Sequence, residues 1–262
     1  MITVRKFIIG RTLISLYLLV LWWKIFSARH LLYLDPLSPK RRLQLLEPII
    51  GQLSSWSITT MFILGLAGGA GLLFSRTQRA AAALSYICLL FFIHANALVH
   101  EVSTQYIGWT LILFVILPGF KWNYESESEL KIARDWATTA TWAVIFAIGG
   151  AYTFMGFSKL AYPAWHSHRL VPRLFHLTQN NPGAIPFPLP PLFLHSPLSL
   201  SAALVEFLAL PMLLLRQTNF AAIILLSLLM TFIGLGLGFY YIAAFMMIVH
   251  LLLLRPEPTG PG

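Results

Sequence analysis

Three side chains carry charge or proton-transfer chemistry inside or beside long apolar runs. Lys159 lies in GGAYTFMGFSKLAYPAWHSHRL, residues 149–170, and is the only lysine or arginine between Arg134 and Arg169. Glu206 sits in the middle of ALVEFLALPMLLL, residues 203–215. His100, next to Glu101, closes HANALVHE, residues 94–101. An ionisable group in hydrocarbon is costly and marks a functional position by default. Lys159 has two readings. Its butyl stem can lie along lipid while the amine snorkels to head groups. Alternatively, removal from water favours the neutral form of an amine, which can then accept a proton as a general base. Glu206 is either part of that site or a structural carboxyl held by a hydrogen bond. Tyr152, Phe157, Tyr162 and Trp165 surround Lys159 in sequence. They are expected to wall a water-excluding cavity around the amine, since ligand pockets are mostly apolar with few fixed polar groups.

Other clusters carry less. His166, His168, His176 and His195 are irregularly spaced, with no carboxylate in their loop, so a metal is not expected there. His94 and His100 are six apart and fall on different helical faces. Glu125, Glu127 and Glu129, flanked by Lys121, Lys131 and Arg134, read as a solvated surface segment, not a metal site. The single cysteine, Cys88, excludes an intramolecular disulfide. The net charge of +9 resides largely in short loops, where it sets orientation or meets anionic lipid; nucleic acid is not the expected partner.

The elements that must position these groups are membrane helices. The chain is 58 % hydrophobic and 10 % charged, with a mean hydropathy of +0.75, whereas soluble domains carry about 25 % charged residues. The apolar runs are continuous, which excludes the alternation of a membrane barrel. Spans are expected near residues 7–26, 56–74, 80–98, 106–117, 136–160 and 200–215. The apolar run 220–254 is too long for one span of about 20 residues and breaks at GLGLGFYY, residues 234–241. The predicted fold is therefore all-α: a polytopic transmembrane helix bundle of about eight spans, filling residues 1–254, with a short Pro/Gly-rich tail at 255–262. Residues 161–198, rich in proline and histidine, form a long outer loop expected to fold, partly buried, over one face of the bundle. Residues 1–26 read as an uncleaved first span. Basic residues at positions 5, 6, 76, 79, 121, 131, 134, 216 and 255 outweigh those on the other side, which puts the N-terminus in the cytoplasm. No period of 20–50 residues recurs and no soluble domain is expected.

GFSKLAYPAW, residues 156–165, resembles the G-x-x-K-L…W signature of the HTTM superfamily, membrane proteins similar to the vitamin K-dependent γ-carboxylase. Arg11 in FIIGRTLISLYLL, LLYLDP, LEPIIGQL with the glycine-rich span and RTQR, VEFLALPMLLLRQTN and GLGLGFYYIAAFMMIVHLLLL are similar to the family's other helices, in order. The resemblance implies an eight-span core that binds a reduced, vitamin K-like quinone or another isoprenoid lipid without a metal. It makes Lys159 the base that deprotonates the reduced quinone. The family's histidine after the third span corresponds to Thr104, with His100 four residues earlier as the substitute. In the family the carboxylase also carries a large extramembrane domain that binds its protein substrate, and residues 255–262 are expected to be only a short tail. A smaller family with a similar lysine motif, the DoxX-like quinone-linked proteins, has about four spans.

Three functions follow as alternatives. The first is a carboxylase-like enzyme (a lyase) using Lys159, with His100 or Glu206, on a quinone-type lipid. The second is a non-catalytic membrane subunit or lipid- and quinone-binding protein of DoxX-like type. The third is a small-molecule transporter in which Glu206 and the glycine-broken last helices form substrate elements.

Overall fold

The structure, a computed structural model, describes residues 2–28, 55–95, 102–166, 172, 176, 192–237 and 239–255. Among them every regular element is helical. In chain order these are α1 (Ile2–Ser27), α2 (Ser55–Gly71), α3 (Gln78–Ala95), α4 (Val102–Ile116), α5 (Glu127–Val144), α6 (Gly150–Ala161), α7 (His195–Phe207), α8 (Ala209–Leu214), α9 (Asn219–Leu237) and α10 (Tyr240–Leu252). A π turn, Ile145–Gly149, joins α5 to α6 without ending the helix. Most of the long loop, His100, and residues 256–262 lie outside the described residues.

The span count differs from the expected eight: among the described residues two stretches, Thr3–Ser27 and Glu127–Ala161, are long and apolar enough to cross a membrane. Gln78–Ile93, Gln105–Ile116, Asn219–Leu235 and Tyr240–Leu252 are apolar but shorter. At about 1.5 Å per residue they measure roughly 18–26 Å, less than a hydrocarbon core of about 30 Å. One cause is local: Pro211 lacks an N–H and crowds the carbonyl four residues earlier, so the helix predicted near 200–215 breaks between α7 and α8. Residues 121–136 also differ from expectation. The charged segment is helical from Glu127 onward, because the Ser126 hydroxyl accepts the Glu129 amide at 3.2 Å and starts the helix.

Large apolar side chains face outward on most helices: Leu16 and Val20 on α1, Ile63 on α2, Ile87 on α3, Trp109 on α4 and Leu228 on α9. Small and polar residues face inward, including Ser15, Gly65, Gly68, Gly69, Ser85 and Thr141. Helices that are apolar on all sides do not sort a wet face from a dry one.

The residues group into two compact units, Phe7–Trp136 and Ala137–Gly262 with Met1–Lys6. In the first, α2 packs on α3 and α3 on α4. Trp22 of α1 fits over Gly65, where an added Cβ would come within 2.9 Å of the indole. Ser15 donates to the Gly69 carbonyl at 2.6 Å, and Phe26 stacks on Phe62 at 4.1 Å. Donors gather at the carbonyl end of α4: Arg11 donates to Phe120 O at 3.2 Å and to Gln78 Oε1 at 3.0 Å, and Gln78 donates to Phe114 O and Leu117 O. These side chains satisfy carbonyls that a helix end leaves open.

In the second unit α6 packs on α7, α8 on α9, and α9 on α10. Its carbonyl ends are closed in the same manner. Lys6 donates to Leu252 O at 3.0 Å and to Leu254 O. Asn219 donates to Leu213 O and Leu253 O at 3.2 Å each, and the Arg255 guanidinium lies 4.7 Å over the Trp142 ring.

Candidate functional site

The site forms where α6 meets α7, and the local sequence explains the closeness of the two helices. Gly156 has no side chain, and an added Cβ would fall on the Phe207 amide nitrogen and within 2.7 Å of Ala203 O. Only glycine lets the backbones approach so nearly. Lys159 follows Gly156 by three residues, about one helical turn, so it emerges beside this contact. On α7, Ser199, Ala203 and Glu206 share a face by their i, i+4, i+7 spacing, and all three are buried.

Lys159 and Glu206 meet there. The amine donates to both carboxylate oxygens at 2.6 Å. The Glu206 side chain is 3 % exposed and that of Lys159 24 % exposed, so the open side of the pair is the amine. The Trp165 ring lies over that amine, 4.7 Å from its centroid, a cation–π contact. Trp165 belongs to a short 3-10 turn, Pro163–His166, after α6. Its carbonyl accepts the Ser199 hydroxyl at 2.5 Å. One face of α7 thus holds both the carboxylate that grips the amine and the hydroxyl that fixes the backbone of the covering indole.

The other aromatics predicted as walls have different settings. Tyr152, fully buried, bonds to His250 Nε2 at 3.1 Å, and the other ring nitrogen of His250 bonds to Ser227 at 2.9 Å. Phe157 and Tyr162 are 58 % and 63 % exposed. His100 lies outside the described residues, and Thr104 stands in α4. Among the described residues no three His, Cys, Asp or Glu side chains are placed to hold a metal ion.

Ser199, Thr153, Ser227 and His250 escaped the sequence reading. Ser199 had a signal in its seven-residue spacing from Glu206. Thr153 accepts the Leu210 amide at 3.0 Å, an N–H released by the break around Pro211, and that role is visible only once the helices are packed. Comparison with protein families, with curated proteins and with solved structures finds no match to this chain.

Proposed function

We propose that the chain is a multi-pass integral membrane protein of the HTTM type, with a cytoplasmic N-terminus, that binds the head group of a quinone or another isoprenoid lipid against Lys159, Glu206 and Trp165. The membrane reading is supported by the two long apolar helices and by the large apolar residues facing outward on shorter ones. Shorter helices cross a bilayer by thinning it locally or by snorkelling of flanking residues. The single observation that carries the site is the Lys159–Glu206 pair, bidentate at 2.6 Å under the Trp165 indole, with the amine on the accessible side.

In the carboxylase-like reaction that the resemblance implies, the amine takes the hydroxyl proton of a reduced quinone. It must first give up its own extra proton, and Glu206 is the partner positioned to receive it. The indole supplies a flat apolar surface for the ring. A second reading is a binding protein without catalysis, in which the pair only staples α6 to α7. The packing of Gly156 against Phe207 at the same junction favours it.

Lys159→Arg separates the two. Guanidinium keeps a bidentate bond to a carboxylate but does not give up its proton near neutrality. Under the catalytic reading Lys159→Arg folds, still binds a short-chain naphthoquinone, and loses its turnover. Turnover equal to wild type rejects the base and leaves the binding protein. Failure of wild type to bind any quinone or isoprenoid lipid rejects both.

A further inference from the structure

The two compact units share a sequence pattern and a hydrogen-bond pattern in the same register. A shift of 141 positions carries Leu72 and Leu73 onto Leu213 and Leu214, Thr77 onto Thr218, Gln78 onto Asn219, and Ala80 and Ala81 onto Ala221 and Ala222. The geometry follows the letters. Thr77 donates six residues back to Gly71 O at 2.6 Å and approaches Phe74 O, three back, at 3.4 Å. Thr218 donates six back to Met212 O at 2.8 Å and approaches Leu215 O, three back, at 3.5 Å. In each turn the threonine carbonyl accepts the amide of the second alanine, Ala81 or Ala222, at 2.8 Å.

The adjoining amide side chain does the same task twice. Gln78 reaches Leu117 O beyond α4, and Asn219 reaches Leu253 O beyond α10, each at 3.2 Å. Bulk hydrophobicity demands none of this, because any apolar hairpin would satisfy it. A shared threonine, a shared amide and a shared register of acceptors are specific.

We infer that the chain is an internal duplication of one helical unit, and that the first copy lacks the site carried by the second. The match fixes the equivalent position. Glu206 lies twelve residues before Thr218, and Gly65 lies twelve before Thr77. The residue of the preceding long helix that meets Glu206 is Lys159; the one that meets Gly65 is Trp22. A carboxylate and an amine in one copy are thus replaced by a hydrogen atom and an indole in the other. Trp22 is fully buried and fills the place. Of these two equivalent positions only the one in the second unit holds a Lys–Glu pair, and the first supplies scaffold.

Two measurements test this without reference to any ligand. The first is saturation mutagenesis of residues 60–95 and 201–236, scored by membrane expression of the full chain as a fluorescent fusion. The tolerance profiles of the two segments correlate best at a shift of 141; a correlation with no maximum there overturns the duplication. The second restores the pair in the first copy with Trp22→Lys and Gly65→Glu together. The indole must go, because a Cβ on Gly65 comes within 2.9 Å of it. Dicyclohexylcarbodiimide, which reaches carboxylates in membranes, followed by peptide mass spectrometry, gives one Lys159–Glu206 amide link in wild type. In the double variant a second link forms between the two introduced side chains. A double variant that keeps the Lys159–Glu206 link and forms no second one contradicts the assigned equivalence.

Discussion

Removing one member of the Lys159–Glu206 pair has a different cost from removing the other, and burial sets the order. Glu206 is 3 % exposed, so Lys159→Met leaves a carboxylate nearly sealed from water with its charged partner gone. Breaking a buried pair this way costs about 3–5 kcal/mol. Lys159 is 24 % exposed, so Glu206→Gln leaves an amine that can turn partly to solvent and can still donate to the amide oxygen. Its cost is closer to that of a charged hydrogen bond, about 1.5–3 kcal/mol. The double variant Lys159→Met with Glu206→Met strands no charge and falls near wild type. At roughly 2–4 °C per kcal/mol for a chain of this size, the melting temperature of Lys159→Met drops by roughly 6–20 °C. Glu206→Gln loses about half as much, and the double variant recovers most of the loss. Fluorescence-detected size-exclusion after heating in detergent measures all four proteins. A Glu206→Gln loss larger than that of Lys159→Met, or a double variant as damaged as the worse single one, refutes this assignment of burial and charge.

Other outcomes follow from the same geometry. Gly156→Ala puts a methyl group on the Phe207 backbone, which cannot yield, so α6 and α7 separate at a cost of about 2–3 kcal/mol; the melting temperature and the carbodiimide link both fall. Ser199→Ala frees the Trp165 carbonyl and raises hydroxyl-radical labelling of that indole, whereas Ser199→Thr keeps wild-type labelling. Asn219→Ala removes three bonds, those donated to Leu213 O and Leu253 O and that accepted from the Arg255 amide, and costs about 1–3 kcal/mol, read as faster amide exchange around 213–219 and 250–255 with 72–78 unchanged. Cys88 is fully buried and resists a membrane-permeant maleimide until the protein is denatured.

Helix positions were legible because long unbroken apolar runs fit helices better than alternating strands. Lys159 and Glu206 were legible as separate anomalies, since a charge inside a long apolar run stands out in any sequence. Their pairing was not. They are 47 residues apart, and nothing in the letters states that Gly156 would bring the two backbones into contact. Tyr152 illustrates the converse. It lies on the same helix as Lys159, yet its hydroxyl turns to His250, a partner 98 residues away. Helix lengths were overestimated where the break depended on a specific residue, as with Pro211. The duplication escaped a search for short periods because the repeat is 141 residues and survives mainly in one turn.

The most direct test of the central claim is native mass spectrometry after gentle detergent extraction, comparing wild type with Lys159→Met and with Trp165→Ala. Wild type retains one quinone or isoprenoid lipid per chain. Lys159→Met loses the polar anchor and Trp165→Ala the flat surface, and both release that molecule while the folded fraction of each still elutes as a single species. A wild-type protein with no such molecule bound, or equal retention by all three, contradicts the assignment of Lys159, Glu206 and Trp165 as its site.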